Sequence, residues 1–130
     1  MFLFFKNLQG CSALHLAADK GHAEAARVLA GAGGKELVLA DGGCGWTALH
    51  LAAHCGHGAV VQLLAKAGGR EVLLVKNLMG HSALHLAAGR GHAEAARVLA
   101  GAGGKELVLA SNAEGVTALQ DGRRNSRPAG

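Results

Sequence analysis

SALHLAADKGHAEAARVLAGAGGKELVLA, residues 12–40, returns as residues 82–110 with Asp19 changed to Gly89 and Lys20 to Arg90. Extended outward, residues 6–40 match 76–110 with four changes in 35 positions, the other two being Gln9/Met79 and Cys11/His81. Residues 41–75 carry a looser copy in the same register, so Gly10, Gly45, Gly80 and Gly115 stand 35 residues apart. A unit this short cannot bury its own apolar face. It must stack on its neighbours, which makes a solenoid with one continuous core and an extended side surface rather than a pocket enclosed by one repeat.

Within one unit, Gly10 sits in a turn, Ser12 is placed to cap a helix, and Ala13 to Lys20 are good helix formers that Gly21 stops. From His22 onward, Ala25, Ala26, Val28 and Leu29 fall on one face at helical spacing with Glu24 and Arg27 turned outward. Gly31, Gly33 and Gly34 then end this second helix, antiparallel to the first. KELVLA is too short for a third full helix, and the pattern leaves a single turn and an extended link equally open. The fold class expected is all-α, a stack of helix-turn-helix units.

Composition narrows the function. Half the residues are hydrophobic, Tyr is absent and the aromatics are Phe2, Phe4, Phe5 and Trp46, so the core must be closely packed Ala, Leu and Val. The formal charge of +4 comes partly from Arg123, Arg124 and Arg127 near the end, which leaves the repeats without a nucleic-acid footprint. Cys11, Cys44 and Cys55 are odd in number and form no CxxC pair, which fits reduced thiols and a cytoplasmic or nuclear location. MFLFF lacks the flanks of a signal peptide, and no stretch reaches membrane-spanning length.

SALHLAADKGHAEAARVLAGAGG, WTALHLAAHCGHGAVVQLLAKAGG and SALHLAAGRGHAEAARVLAGAGG resemble the ankyrin repeat, whose signature is T-P-L-H-x-A. The resemblance covers residues 7 to about 119 and rests on three register-matched copies of [ST]-A-L-H-L-A-A-x-x-G-H. Ala13, Ala48 and Ala83 stand where the family usually has Pro, and GGKELVLA is longer than the usual link by two residues. The resemblance implies projecting hairpin fingers which, with the first helices, form a concave face where partner proteins bind. The matching positions are Leu8, Gln9, Cys11, Asp19 and Lys20; Gly43, Cys44, Trp46, His54 and Cys55; Leu78, Met79, His81, Gly89 and Arg90. All four differences between the near-identical blocks lie in this set, as they would on any surface that tolerates change.

Six of the eight histidines recur in register: His15, His50 and His85 in ALH, and His22, His57 and His92 after the interhelix glycine. Such repetition points to scaffold, each ring tying a helix to a neighbouring loop. His50 and His54 share a side of the central first helix as zinc ligands would, but Cys55 points about 100° away and no HExxH glutamate is present. GAGGKE at 31–36 and 101–106 fails as a phosphate loop, because Leu29 replaces its first glycine and Glu36 its hydroxyl. No catalytic, cofactor or metal residue is therefore assigned. Trp46 stands in a G-W-T-A-L-H context where the family packs Trp over adjacent fingers, and its indole also suits an interface anchor.

At the ends, MFLFFKNLQG aligns with the tail of a missing unit, and EGVTAL opens a fourth that breaks into QDGRRNSRPAG. The expected organisation is an ankyrin domain over 1–119, with repeats at about 7–41, 42–76 and 77–111 and a partial unit at 112–119, then a disordered basic tail at 120–130. Uncapped faces favour self-association, coverage by a partner, or membership in a longer array. The expected function is a non-catalytic protein-binding module. The alternatives are a structural spacer and, more weakly, a metal-binding protein on His50, His54 and Cys55.

Overall fold

The computed structural model describes residues 13–41 and 45–109, with side chains to residue 103. The readings of both chain ends, of the tail and of Gln9, Cys11 and Cys44 fall outside those residues. Six helices follow in order: α1 (Ala13–Lys20), α2 (Ala23–Leu39), α3 (Ala48–Cys55), α4 (Gly58–Leu74), α5 (Ala83–Gly89) and α6 (Ala93–Leu109). They pair as α1/α2, α3/α4 and α5/α6. Stacking the pairs makes two rows, α1, α3 and α5 in one and α2, α4 and α6 in the other. The core runs between the rows through Leu14, Leu49 and Leu84 of the short helices and Ala26, Val61, Leu64 and Leu99 of the long ones.

Each long helix is two pieces. The backbone stays helical through Gly31 and Gly33 and breaks at Gly34, after which residues 35–39 form a further helical turn. The helix-stop reading of Gly31 and Gly33 is thus corrected, and the open question over KELVLA is resolved as helix. Alone, five residues cannot nucleate one. Here the turn is held because Leu37 and Val38 are fully buried. Stereochemistry requires both glycines at the break. A Cβ on Gly33 would lie 2.5 Å from Leu37 Cδ2. Gly34 adopts φ 67°, ψ −164°, a region open essentially to glycine alone. Gly68 and Gly69 repeat the arrangement, with φ 63° at Gly69 and 2.5 Å from the Gly68 Cβ position to Val72 Cγ1. Lys35 Nζ meets Glu71 Oε1 at 2.8 Å across neighbouring units.

The apolar face of the second helix is right for the middle unit and wrong for the first. Val60, Val61 and Leu64 are fully buried, whereas Val28 is 58% exposed and Ala25 is exposed as well. Among the described helices α2 has one neighbour in its row, while α4 lies between α2 and α6. The side of the helix that carries Ala25 and Val28 is therefore covered in α4 and open in α2.

Two predictions follow from this geometry. Gly34→Ala should destabilise the fold by about 1–3 kcal/mol, while Gly31→Ala, helical and with open space around its Cβ position, should stabilise it by up to about 1 kcal/mol. Denaturant melts of the two variants check this, and equal effects would refute the kink assignment. Amide exchange should be slowest at Val60–Leu64, by about tenfold or more over residues 95–99, because the middle unit buries larger side chains and is stacked on both sides. Equal or greater protection of 95–99 would overturn the core-volume argument.

Candidate binding surface

The first-helix histidines join each unit to the next. Thr47 N–H donates to His50 Nδ1 at 3.1 Å, the Thr47 hydroxyl meets the same nitrogen at 2.9 Å, and His50 N–H returns a bond to Thr47 Oγ1 at 3.3 Å. This is a capping box in which imidazole takes the place of the usual Glu. Because Nδ1 accepts from a backbone amide, the ring proton resides on Nε2, which donates to the carbonyl of His81 at 3.0 Å. Ser82 and His85 form the same box, and His15 Nε2 donates to the carbonyl of Trp46 at 3.1 Å. Burial holds His50 neutral by lowering its pKa to about 4, against smaller raising contributions from the backbone carbonyls it meets.

The second series points the other way. His57 Nε2 donates to the carbonyl of Asp19 at 3.0 Å, and His92 Nε2 to that of His54 at 2.9 Å. Each ring lies against the glycine that ends the previous first helix. A Cβ on Gly21 or Gly56, both at positive φ, would come within 2.6 Å of the His57 or His92 Nδ1. Every unit boundary among the described residues is thus stitched in both directions by imidazoles.

The carbonyls that receive these bonds belong to the variable positions. Trp46 and His81 are register equivalents of Cys11; Asp19 and His54 are equivalents of Gly89. Their main chain is clamped by the scaffold while their side chains are left to differ. The His81 carbonyl accepts from Asn77 N–H as well, at 3.0 Å.

Those sequence-derived site residues that the structure describes fall along one side of the stack, on the first-helix row and the turn that precedes it. Asp19 and Lys20 end α1, both exposed, and Cys55 Sγ donates to Asp19 Oδ1 at 3.4 Å. Burial, then this hydrogen bond, pushes the Cys55 thiol up, so it is a protonated donor and not an activated nucleophile. The half-buried Trp46 ring lies over its own unit's first helix, 5.3 Å from the His54 ring in an edge-on arrangement and 6.1 Å from His50. His54 is held below the usual imidazole pKa by burial first and then by the charge of Arg90, and its Nδ1 has no hydrogen-bond partner. Met79 is 60% exposed, and His81 stacks on His85 at 5.7 Å. Trp46, His54, Cys55 and Arg90 are therefore neighbours, with Asp19 joined through Cys55. His50, which the metal alternative needed beside His54, spends both ring nitrogens on the clamp. Among the described residues no group of three or more His, Cys, Asp or Glu side chains converges, and no helix is long and apolar enough to cross a membrane.

Two sets of residues escaped the sequence reading. Asn77 is 5% exposed, and its Oδ1 accepts from Met79 N–H at 2.9 Å and His81 N–H at 3.0 Å, which shapes the turn that presents Leu78 and Met79. Its signal was present as Asn7, Asn77 and Asn112, each three residues before the register glycine. Leu16, 47% exposed on the first-helix row, was hidden because ALHLAA reads as an unbroken run of helix formers.

The neutral state of His50 makes stability depend on pH with a definite sign. Its folded pKa of about 4 lies below the ordinary 6.5, so its contribution is complete above 6.5 and is lost as pH falls through 6.5 toward 4. Proton linkage puts that loss at up to about 3 kcal/mol. NMR of the His50 ring should show an Nε2–H tautomer titrating near 4, and a midpoint near 6.5 would sink the clamp.

The family model described as ankyrin repeats (3 copies) matches residues 3–75 and 34–111. No curated protein matches the chain significantly. Paired helices in two rows, a Ser or Thr capped by the histidine of its own ALH motif, and a family match over most of the length lead to one assignment: the chain belongs to the ankyrin-repeat family.

Proposed function

We propose that the chain is a non-catalytic module that binds a partner protein through the face built by α1, α3, α5 and the turns that precede them. The observation that carries this reading is the division of labour at the variable positions. At Asp19, Trp46, His54 and His81 the carbonyl is held by a histidine of the adjacent unit, at 2.9–3.1 Å. Side chains can then change there without loosening the stack. The same face carries the most exposed apolar pair of the described residues, Leu78 at 79% and Met79 at 60%, on a turn that Asn77 rigidifies. A rigid display of solvent-facing apolar and aromatic groups loses little entropy on association.

The opposite row is built differently. Arg27 pairs with Glu24 and Arg97 with Glu94, each one turn away on its own helix, so those charges are already answered within the chain. Catalysis finds no support in the surface chemistry: the Cys55 thiol is held protonated, and the buried histidines are committed to the clamps.

Identification of a partner by pull-down with the intact chain, followed by alanine substitution, tests the reading. Trp46→Ala, Met79→Ala, His81→Ala and Arg90→Ala should include one or more losses above about 1 kcal/mol, while Arg27→Ala and Arg97→Ala should leave affinity unchanged. Negligible losses at every position on the first-helix face would instead favour a spacer.

A further inference from the structure

We infer that the neighbourhood of Trp46, His54 and Arg90 receives a carboxylate side chain of the partner, an Asp or Glu set beside a large apolar residue. The inference rests on the protein-binding reading above and specifies the chemistry of what is bound.

Charge pairing within the chain is the starting point. Arg27, Lys35 and Arg97 each hold a glutamate. Arg90 is exposed at the end of α5, and among the described residues no carboxylate is paired with it. His92, two residues further on, donates to the His54 carbonyl at 2.9 Å, which sets Arg90 beside the end of α3, close enough to His54 and Cys55 for its charge to act on both. The nearest acidic group in this cluster, Asp19, is engaged by the Cys55 thiol at 3.4 Å. A guanidinium with no carboxylate partner among the described residues is suited to a planar carboxylate, which it binds through two parallel hydrogen bonds.

Two further features define the ligand. The His54 imidazole is partly exposed, and its Nδ1 is buried without a hydrogen-bond partner, so what this ring offers a ligand is its exposed ring surface. Next to it, the Trp46 indole stands edge-on at 5.3 Å and only half-buried, and Met79 is exposed on the following turn. Together they offer an aromatic and thioether contact for an apolar side chain beside the cation. A single arginine at this cluster is too few for a nucleic-acid backbone, whose binding is built on several phosphate contacts. A protein segment with one acidic group flanked by an aliphatic or aromatic residue fits both the charge and the apolar surface.

A displayed library of random 12-residue peptides, selected on the intact chain, tests this. Enriched sequences should share an Asp or Glu adjacent to Leu, Ile, Met or Phe. For a labelled peptide from that set, Arg90→Gln and peptide Glu→Gln should each weaken binding at least about tenfold, and the two together should cost no more than either alone, as a double-mutant cycle requires of a direct pair. Lys66→Gln, an exposed cation on α4, should change affinity less than about twofold. Circular dichroism melts matching wild type exclude misfolding, and the His54 ring resonances should shift on peptide binding. A neutral or basic consensus, no enrichment, additive losses in the cycle, or equal competition by a 12-nucleotide oligothymidine would each overturn the carboxylate site. If binding in those cases is still lost on Trp46→Ala, the face remains the binding surface and only its proposed ligand chemistry fails. If neither Trp46→Ala nor Arg90→Gln affects binding, both readings fall.

Discussion

The stack depends on an uncharged imidazole with a fixed tautomer. Nδ1 of His50 faces its own helix cap and Nε2 faces the next unit's carbonyl, so one side chain closes a helix terminus and sets the distance between two repeats. A protonated ring would present two donors and lose the acceptor that the cap requires. Burial is what keeps the ring neutral, and that burial exists only when the units are stacked. Cap, tautomer and stacking therefore stand or fall together, which is the nearest-neighbour cooperativity expected of a solenoid.

A second constraint is the close approach of backbone to ring. Gly21 after α1 and Gly56 after α3 leave no room for a Cβ beneath the next unit's histidine. That contact aligns the second imidazole with the carbonyl it serves. Both histidine series thus use main-chain atoms as their targets, and main-chain atoms do not depend on residue identity. The surface can vary at Asp19, Trp46, His54 and His81 because the clamps touch only their carbonyls.

This arrangement separates stability from recognition by position. On the long-helix row, Arg27, Lys35 and Arg97 pair with Glu24, Glu71 and Glu94 within the chain or across neighbouring units, and Val60, Val61 and Leu64 are fully buried core. On the short-helix row, Trp46, His54, Met79 and Arg90 keep unspent binding capacity: a half-open indole, a partly exposed imidazole, an exposed thioether and a guanidinium with no carboxylate partner among the described residues. Surface residues of this kind add little to folding, and their chemistry is available to another molecule.

The amino-acid sequence by itself determined the repeat length, the all-helical class, the two helices of each unit and the scaffold role of the register histidines. Those features come from periodicity and local stereochemistry, which are written in residues close together along the chain. Tertiary structure decided the rest. Residues 35–39 are helical because Leu37 and Val38 find a neighbouring unit to bury against, and Gly33 is needed because Leu37 folds over it. Val28 is exposed where Leu63 is partly covered, since coverage is a property of the row and not of the helix. The direction of each histidine bond, forward from His50 and backward from His57, could not be read from spacing, because both targets are carbonyls more than thirty residues away. Trp46, His54 and Arg90 became one neighbourhood only when α3 and α5 were set side by side.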